Sequence, residues 1–205
     1  MDFTFGITTD YKNVDRLLET IRSIKSLKIP NYEILIIGPA HSQIDPDVIQ
    51  IPFDSPTPMW ITKKKNILSR NAKYENVILM HDYFIFDYKW YSAFLDFGND
   101  WDIATNTQLY IDGSRYRYDW VIWDHPKIPR YTQIPTDDWS LTKHMYISGS
   151  YMIVKKYVME HHPLNENLIW GQEEDVDWSL RVRDRYSIVF NTEAIVRHNK
   201  YHRSY

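Results

Sequence analysis

The chain has 205 residues, enough for one well-buried core and short for two ordinary catalytic domains. Its 24 basic and 27 acidic side chains leave a formal charge of −3, so no net positive field exists to hold a nucleic-acid backbone or an anionic membrane. Zero cysteines exclude disulfides, thiolate zinc sites and cysteine nucleophiles. With a mean hydropathy of −0.50, no apolar run near twenty residues and no basic, apolar leader at the start, the sequence predicts no membrane span and a cytoplasmic location.

Residues 3–9 form an apolar, β-branched run. After Asp10-Tyr11-Lys12-Asn13, apolar side chains recur at helical spacing from Val14 to Leu27, and Pro30-Asn31 stops them. Residues 32–37 (YEILII) are continuously apolar, as strands buried on both faces of a parallel sheet are. A proline-rich connection over 51–58, a helix over 61–73 and a second buried strand over 76–80 (NVILM) repeat the alternation. Strand–helix alternation of this kind predicts an α/β domain with its ligand crevice at the carboxyl ends of the strands. None of the six glycines completes GxGxxG or GxxxxGK[ST], so phosphate must be held by other means.

The second half reads differently. Asp112-Gly113 predicts a turn between strands over 102–109 and 115–121. Residues 123–143 carry three prolines, scattered aromatics and no period, which predicts a long lid or binding loop. A strand over 146–154, a helix over 175–183 and short strands over 187–190 and 194–196 complete the chain. There is no internal repeat, low-complexity tract or linker.

Three clusters carry candidate chemistry. His81-Asp82-Tyr83 directly follows the apolar strand ending at Met80, where Asp82 offers a hard oxygen ligand and His81 an imidazole. Asp82 serves equally well as a cap for the next turn. Trp170-Gly171-Gln172-Glu173-Glu174-Asp175-Val176-Asp177 crowds carboxylates at a helix entry, where the macrodipole favours an ionised group able to act as a base. An acidic first turn without function remains the plain reading of that pattern. Arg197-His198-Asn199 ends a late strand, and His198 together with Asp82 would supply two ligands to an octahedral metal; Lys200 and His202 beyond it read as a solvated tail.

The order of these signals resembles the GT-A glycosyltransferases, above all the family 2 type. Thr8-Thr9-Asp10-Tyr11-Lys12-Asn13 stands where that family binds nucleotide, His81-Asp82-Tyr83 where it carries an acidic DxD motif, and Glu174-Asp175-Val176-Asp177 where a Glu-Asp motif opens a late helix. Gly171 to His198 is similar to the family's GEDVDLSLR segment followed by a metal-binding histidine, and Trp170-Gly171 is similar to the WGGEDDD segment of β-galactosyltransferases.

The resemblance implies the GT-A fold, a mixed, mainly parallel sheet flanked by helices with a Rossmann-like N-terminal half. It implies one domain over 1–205, with residues 1–105 binding the nucleotide sugar and 106–205 the acceptor and the chemistry. It also implies a hexosyl- or deoxyhexosyltransferase acting on a UDP-sugar and a glycan hydroxyl with inversion, assisted by Mn²⁺ or Mg²⁺. In that scheme Thr8, Thr9, Asp10, Tyr11, Lys65, Asn66, His81 and Asp82 hold the donor, and Asp82 and His198 the metal. Asp175 is the base with Glu174 in reserve, and Trp170 and Gly171 meet the acceptor. The alternative is a nucleotide-sugar- or glycan-binding module on the same fold. Domains of this size occur in bacteria and in large DNA viruses that glycosylate their own capsids, sometimes as pieces of multi-domain enzymes.

Overall fold

The computed structural model describes residues 1–57 and 59–200; His202 lies outside them. Strand β1 (Phe3–Thr8), helix α1 (Val14–Ser26), β2 (Tyr32–Gly38) and an edge strand β3 (Val48–Pro52) open the chain. They are followed by α2 (Ile61–Asn71), β4 (Asn76–His81), β5 (Phe84–Phe86), α3 (Trp90–Phe97) and β6 (Ile103–Tyr110). After β7 (Val121–Ile122) and β8 (Met145–Tyr146) come β9 (Tyr151–Lys155), α4 (Lys156–His161), α5 (Glu174–Val182) and β10 (Ile188–His198).

Eight strands form one sheet in the order β3-β2-β1-β4-β9-β6-β10-β5, in which β9 and β5 run against the others. The period-two alternation of each strand splits the core into two layers. Phe3, Phe5 and Ile7 of β1, Ile34 and Ile36 of β2, Ile78 and Met80 of β4, and Tyr151 and Ile153 of β9 pack towards α1 and α3. Leu35, Ile37, Val77, Leu79, Met152 and Val154 face the other way, onto Leu68 of α2, Val158 and Met159 of α4, and Trp178 and Val182 of α5. Strands that are apolar on both faces therefore require a helix on each side, which is why YEILII and NVILM read as continuous runs. Helix α1 is capped by Asn13, whose Oδ1 accepts the Arg16 N–H at 3.0 Å.

Several elements depart from the sequence reading. Residues 48–52, within and before the proline-rich connection, form β3; as an edge strand ending in Pro52 it tolerates the missing donor. The strands read over 187–190 and 194–196 are one strand with a bulge between Asn191 and Ile195, and Asn191 Oδ1 accepts the Glu193 and Ala194 N–H groups at 3.1 and 3.2 Å. The strand read over 146–154 breaks at Ser148-Gly149-Ser150. Asp112-Gly113 does make a turn, with Tyr110 N–H donating to Ser114 O at 2.8 Å, but the ribbon beyond it is short and Val121 pairs with Tyr146 instead. The 123–143 segment lacks regular structure except at its 3₁₀ end, and it is tied down: the Tyr131 N–H donates to Ile122 O at 2.8 Å, the Ile122 N–H donates to Thr132 O at 3.0 Å, and Trp120 Nε1 donates to Asp138 O at 3.2 Å.

Trp90 is the keystone of the first layer. It is fully buried, its ring lies 4.5–6.0 Å from those of Phe3, Phe5, Phe86 and Phe94, and its Nε1 donates to Asn106 Oδ1 at 3.2 Å. Trp90→Ala should lower stability by about 3–5 kcal/mol, read as a shift in the urea midpoint at unchanged slope.

Candidate functional site

Parallel strands β1 and β4 lie side by side with Thr8 opposite His81, so their carboxyl ends deliver Thr8-Thr9 and His81-Asp82 to one place. There Thr9 Oγ1 donates to Asp82 Oδ2 at 2.6 Å, Arg16 Nη2 approaches Asp82 Oδ1 at 3.4 Å, and Thr8 Oγ1 lies 3.2 Å from His81 Nδ1. Burial raises the Asp82 carboxyl above its usual value, against the opposing pull of the Thr9 hydroxyl and the Arg16 charge. Burial, with the charges of Lys65, Lys200 and Lys64, holds His81 well below the usual imidazole range, so it is neutral.

These residues line a cavity of about 310 Å³ together with Asp10, Met59, Ile61, Lys64, Tyr83, Trp170 and Lys200. Thr8, Thr9, Asp10, His81, Asp82 and Trp170 are thus brought together as the sequence predicts. Lys200, read as tail, is a wall of the cavity instead.

Other predicted residues lie elsewhere. Tyr11 stacks on His41 with ring centroids 4.3 Å apart and does not line the cavity. Asn66 is buried, donating to Leu164 O at 2.9 Å and accepting the Leu164 N–H at 2.9 Å. With Trp60 Nε1 on Glu166 O and Thr62 Oγ1 on Leu168 O, both at 2.7 Å, it fixes the segment that leads to Trp170. The Asn66 amide is therefore used up inside the protein.

Lys65 is also buried, and its ammonium donates to Gly149 O. Adjacent residues of a helix diverge by about 100°, so Lys64 turns to the cavity and Lys65 inward, toward Glu174 and Asp175. Burial brings Lys65 down to about 8 against the upward pull of those two carboxylates.

The acidic cluster at α5 is joined to the cavity by residues 148–150. Gly149 N–H donates to Asp175 Oδ2 at 2.7 Å, while Ser150 O accepts the His81 N–H at 3.1 Å. Asp175 Oδ1 takes the Val176 N–H at 2.9 Å. Glu174 is buried and accepts the Gly171 N–H at 3.1 Å; burial, with the neighbouring Asp175 charge, raises its carboxyl above the usual value. Gly171 itself, at φ +84°, supplies a turn that few other residues tolerate and does not line the cavity. Trp170 is half exposed, while Trp178 is core, its Nε1 donating to His162 O at 2.7 Å.

The strap 148–150, which joins the cavity to α5, is the element the sequence reading missed. Its signal was present as Ser-Gly-Ser inside an otherwise apolar run. A Cβ on Gly149 would stand 2.9 Å from Asp175 Cβ, so only glycine lets α5 approach this closely.

The donor set does not fit a divalent metal. Such an ion needs at least one available carboxylate beside the substrate's phosphates, and of the two that line the cavity Asp82 is engaged by Thr9 and Arg16 and Asp10 by Lys12. His198 does not line the cavity; its Nε2 faces Gln108 Oε1 at 3.1 Å and its ring is stacked 3.8 Å from Tyr116. Burial first, then Lys200, brings His198 down to about 3. Among the described residues no group of three or more His, Asp or Glu side chains is placed to hold a metal, and three cations share the cavity wall.

Two outcomes check this layout. Because folded Lys65 loses its proton near pH 8 and the unfolded chain keeps it to about 10.5, stability should rise with pH across that window. Lys65→Met should flatten the rise in urea titrations. Gly149→Ala should destabilise by about 1–3 kcal/mol through overpacking against Asp175, read in the same assay.

No family model and no curated protein matches this sequence. Among solved structures, it is similar to GalNAc-T7 with UDP, GalNAc and Mn²⁺, with a TM-score of 0.70 and 15% identity over 97% of this chain. It is likewise similar to S. aureus TarS 1–349 in complex with UDP-GlcNAc, with a TM-score of 0.65 and 12% identity over 98% of this chain. It spans 44% and 60% of those two chains. Both neighbours are GT-A-type glycosyltransferases, and the sheet order, its flanking helices and the cavity at the carboxyl ends of β1 and β4 give this chain the GT-A fold.

Proposed function

We propose that this protein is a glycosyltransferase that moves a sugar from a nucleoside-diphosphate sugar, a UDP-sugar, to a hydroxyl of a glycan acceptor with inversion. The observation that carries the reading is a link between the cavity and Asp175, which itself lies outside the cavity lining. A strap of three residues links a cavity floored by Thr9 and Asp82 to a carboxylate, Asp175, at the start of α5. UDP and UDP-GlcNAc in complexes of the neighbours support the donor class.

In this reading the nucleotide sugar enters the cavity between Thr8-Thr9-Asp10 and His81-Asp82, residues of the N-terminal half, and the acceptor arrives from the side of α5 and Trp170. The acceptor oxygen attacks the anomeric carbon and its proton passes to the Asp175 carboxylate. The bond from that carbon to the diphosphate oxygen breaks, and the nucleoside diphosphate leaves with the electron pair. The Gly149 N–H holds one Asp175 oxygen, so the carboxylate is oriented before the acceptor binds. Glu174, which fixes the Gly171 turn, shapes the approach of Trp170, whose exposed ring offers an apolar face to a sugar.

A binding module without turnover draws on one observation, that both Asp175 oxygens already accept backbone N–H groups. Comparing variants separates the two. Asp175→Asn should leave donor affinity nearly unchanged and slow transfer by ~10²-fold or more, the scale of a lost general base. Glu174→Gln should change acceptor KM more than kcat. Turnover by Asp175→Asn equal to the parent protein, over a panel of UDP-sugars, would remove the role from Asp175.

A further inference from the structure

The cavity that would take the donor is rich in positive charge for a site whose two carboxylates are already paired. Arg16 leans over the Tyr83 ring at 5.7 Å with one nitrogen on Asp82 Oδ1, and its Nε is buried with no hydrogen-bond partner among the described residues. Lys64 Nζ reaches Thr9 O at 3.4 Å, and Lys200 Nζ lies 5.3 Å from the Tyr83 ring on the other flank. Of the two carboxylates that line the same space, Asp10 is occupied by Lys12 at 2.8 Å and Asp82 by Thr9 and Arg16.

Resting on the donor reading above, we propose that Arg16, Lys64 and Lys200 bind and neutralise the donor's diphosphate, so that donor binding needs no divalent metal. Charge-assisted hydrogen bonds from a guanidinium and two ammonium groups match the oxygens of a diphosphate and its growing charge as it departs. Each cation comes from a different part of the chain: Arg16 from the first turn of α1, Lys64 from the first turn of α2, and Lys200 from just beyond β10. Closing them on one anion accordingly ties the two halves of the molecule together. Asp82 then acts as a positioning residue that holds Arg16 until the diphosphate arrives, rather than as a metal ligand.

Isothermal titration calorimetry with UDP and with inorganic pyrophosphate, each in EDTA and in saturating Mn²⁺, tests this. UDP should bind in EDTA with an affinity within about twofold of that in Mn²⁺. Lys64→Ala and Arg16→Gln should each weaken UDP about tenfold or more, the scale of a lost charged hydrogen bond, with Arg16→Lys retaining most of the affinity. Thermal melts would show that each variant is folded. Binding of UDP in Mn²⁺ that vanishes in EDTA would overturn the inference and leave the donor reading standing. Pyrophosphate binding in EDTA without UDP binding would support the cation cluster and overturn the uridine-nucleotide reading. No binding of either probe under either condition would overturn both.

Discussion

One buried ammonium fastens the strap beside the cavity and faces the acidic start of α5. Lys65 has no water to solvate it, and its charge is answered by the Gly149 carbonyl and by the field of Glu174 and Asp175. The same charge acts on His81, which it helps keep neutral. Remove that ammonium and the strap 148–150 loses an anchor on one side while two acids at a helix start lose their nearest compensating cation. The close approach of α5 to the strap explains its glycine, since a Cβ there would crowd Asp175.

The two-layer core sets the positions of these groups. β1 and β4 are apolar on both faces, so they lie centrally, and their ends converge because they pair in parallel with Thr8 opposite His81. Polar residues follow directly on the apolar runs, and the cavity forms where the runs stop. β9, antiparallel beside β4, begins at that same end of the sheet, and so the strap that precedes it arrives next to His81 without any long connection.

Much of this was legible in the residues. The apolar runs over 3–9 and 76–80 read as buried strands, and the placement of Thr8, Thr9, Asp10, His81 and Asp82 around one cavity follows from their lying at the carboxyl ends of those two strands. Lys65 defeated the reading because it ends a run of three lysines, Lys63 to Lys65, that does not say which member faces inward; only the phase of α2 against β1 and β4 decides it. Asn66 looked like a ligand-binding amide, yet a buried amide is equally suited to fastening a loop that has no secondary structure, as it does at Leu164. β5 and α3 hid in a largely apolar and aromatic run, FIFDYKWYSAFLDF, where neither a period of two nor of 3.6 stands out. His198 sat at the expected strand end, but its aromatic neighbours come from β5 and from the turn after β6, which no local pattern connects.

The adjacency of Lys64 and Lys65 on α2 has a mechanical consequence. One of them ends in the cavity and the other among the acids, on two sides of the same rigid rod, and that rod is also bolted through Trp60, Thr62 and Asn66 to the segment carrying Trp170. The orientation of α2 about its own axis is therefore fixed from three directions at once, and no one of these contacts can be repositioned without disturbing a helix on which the other two also depend.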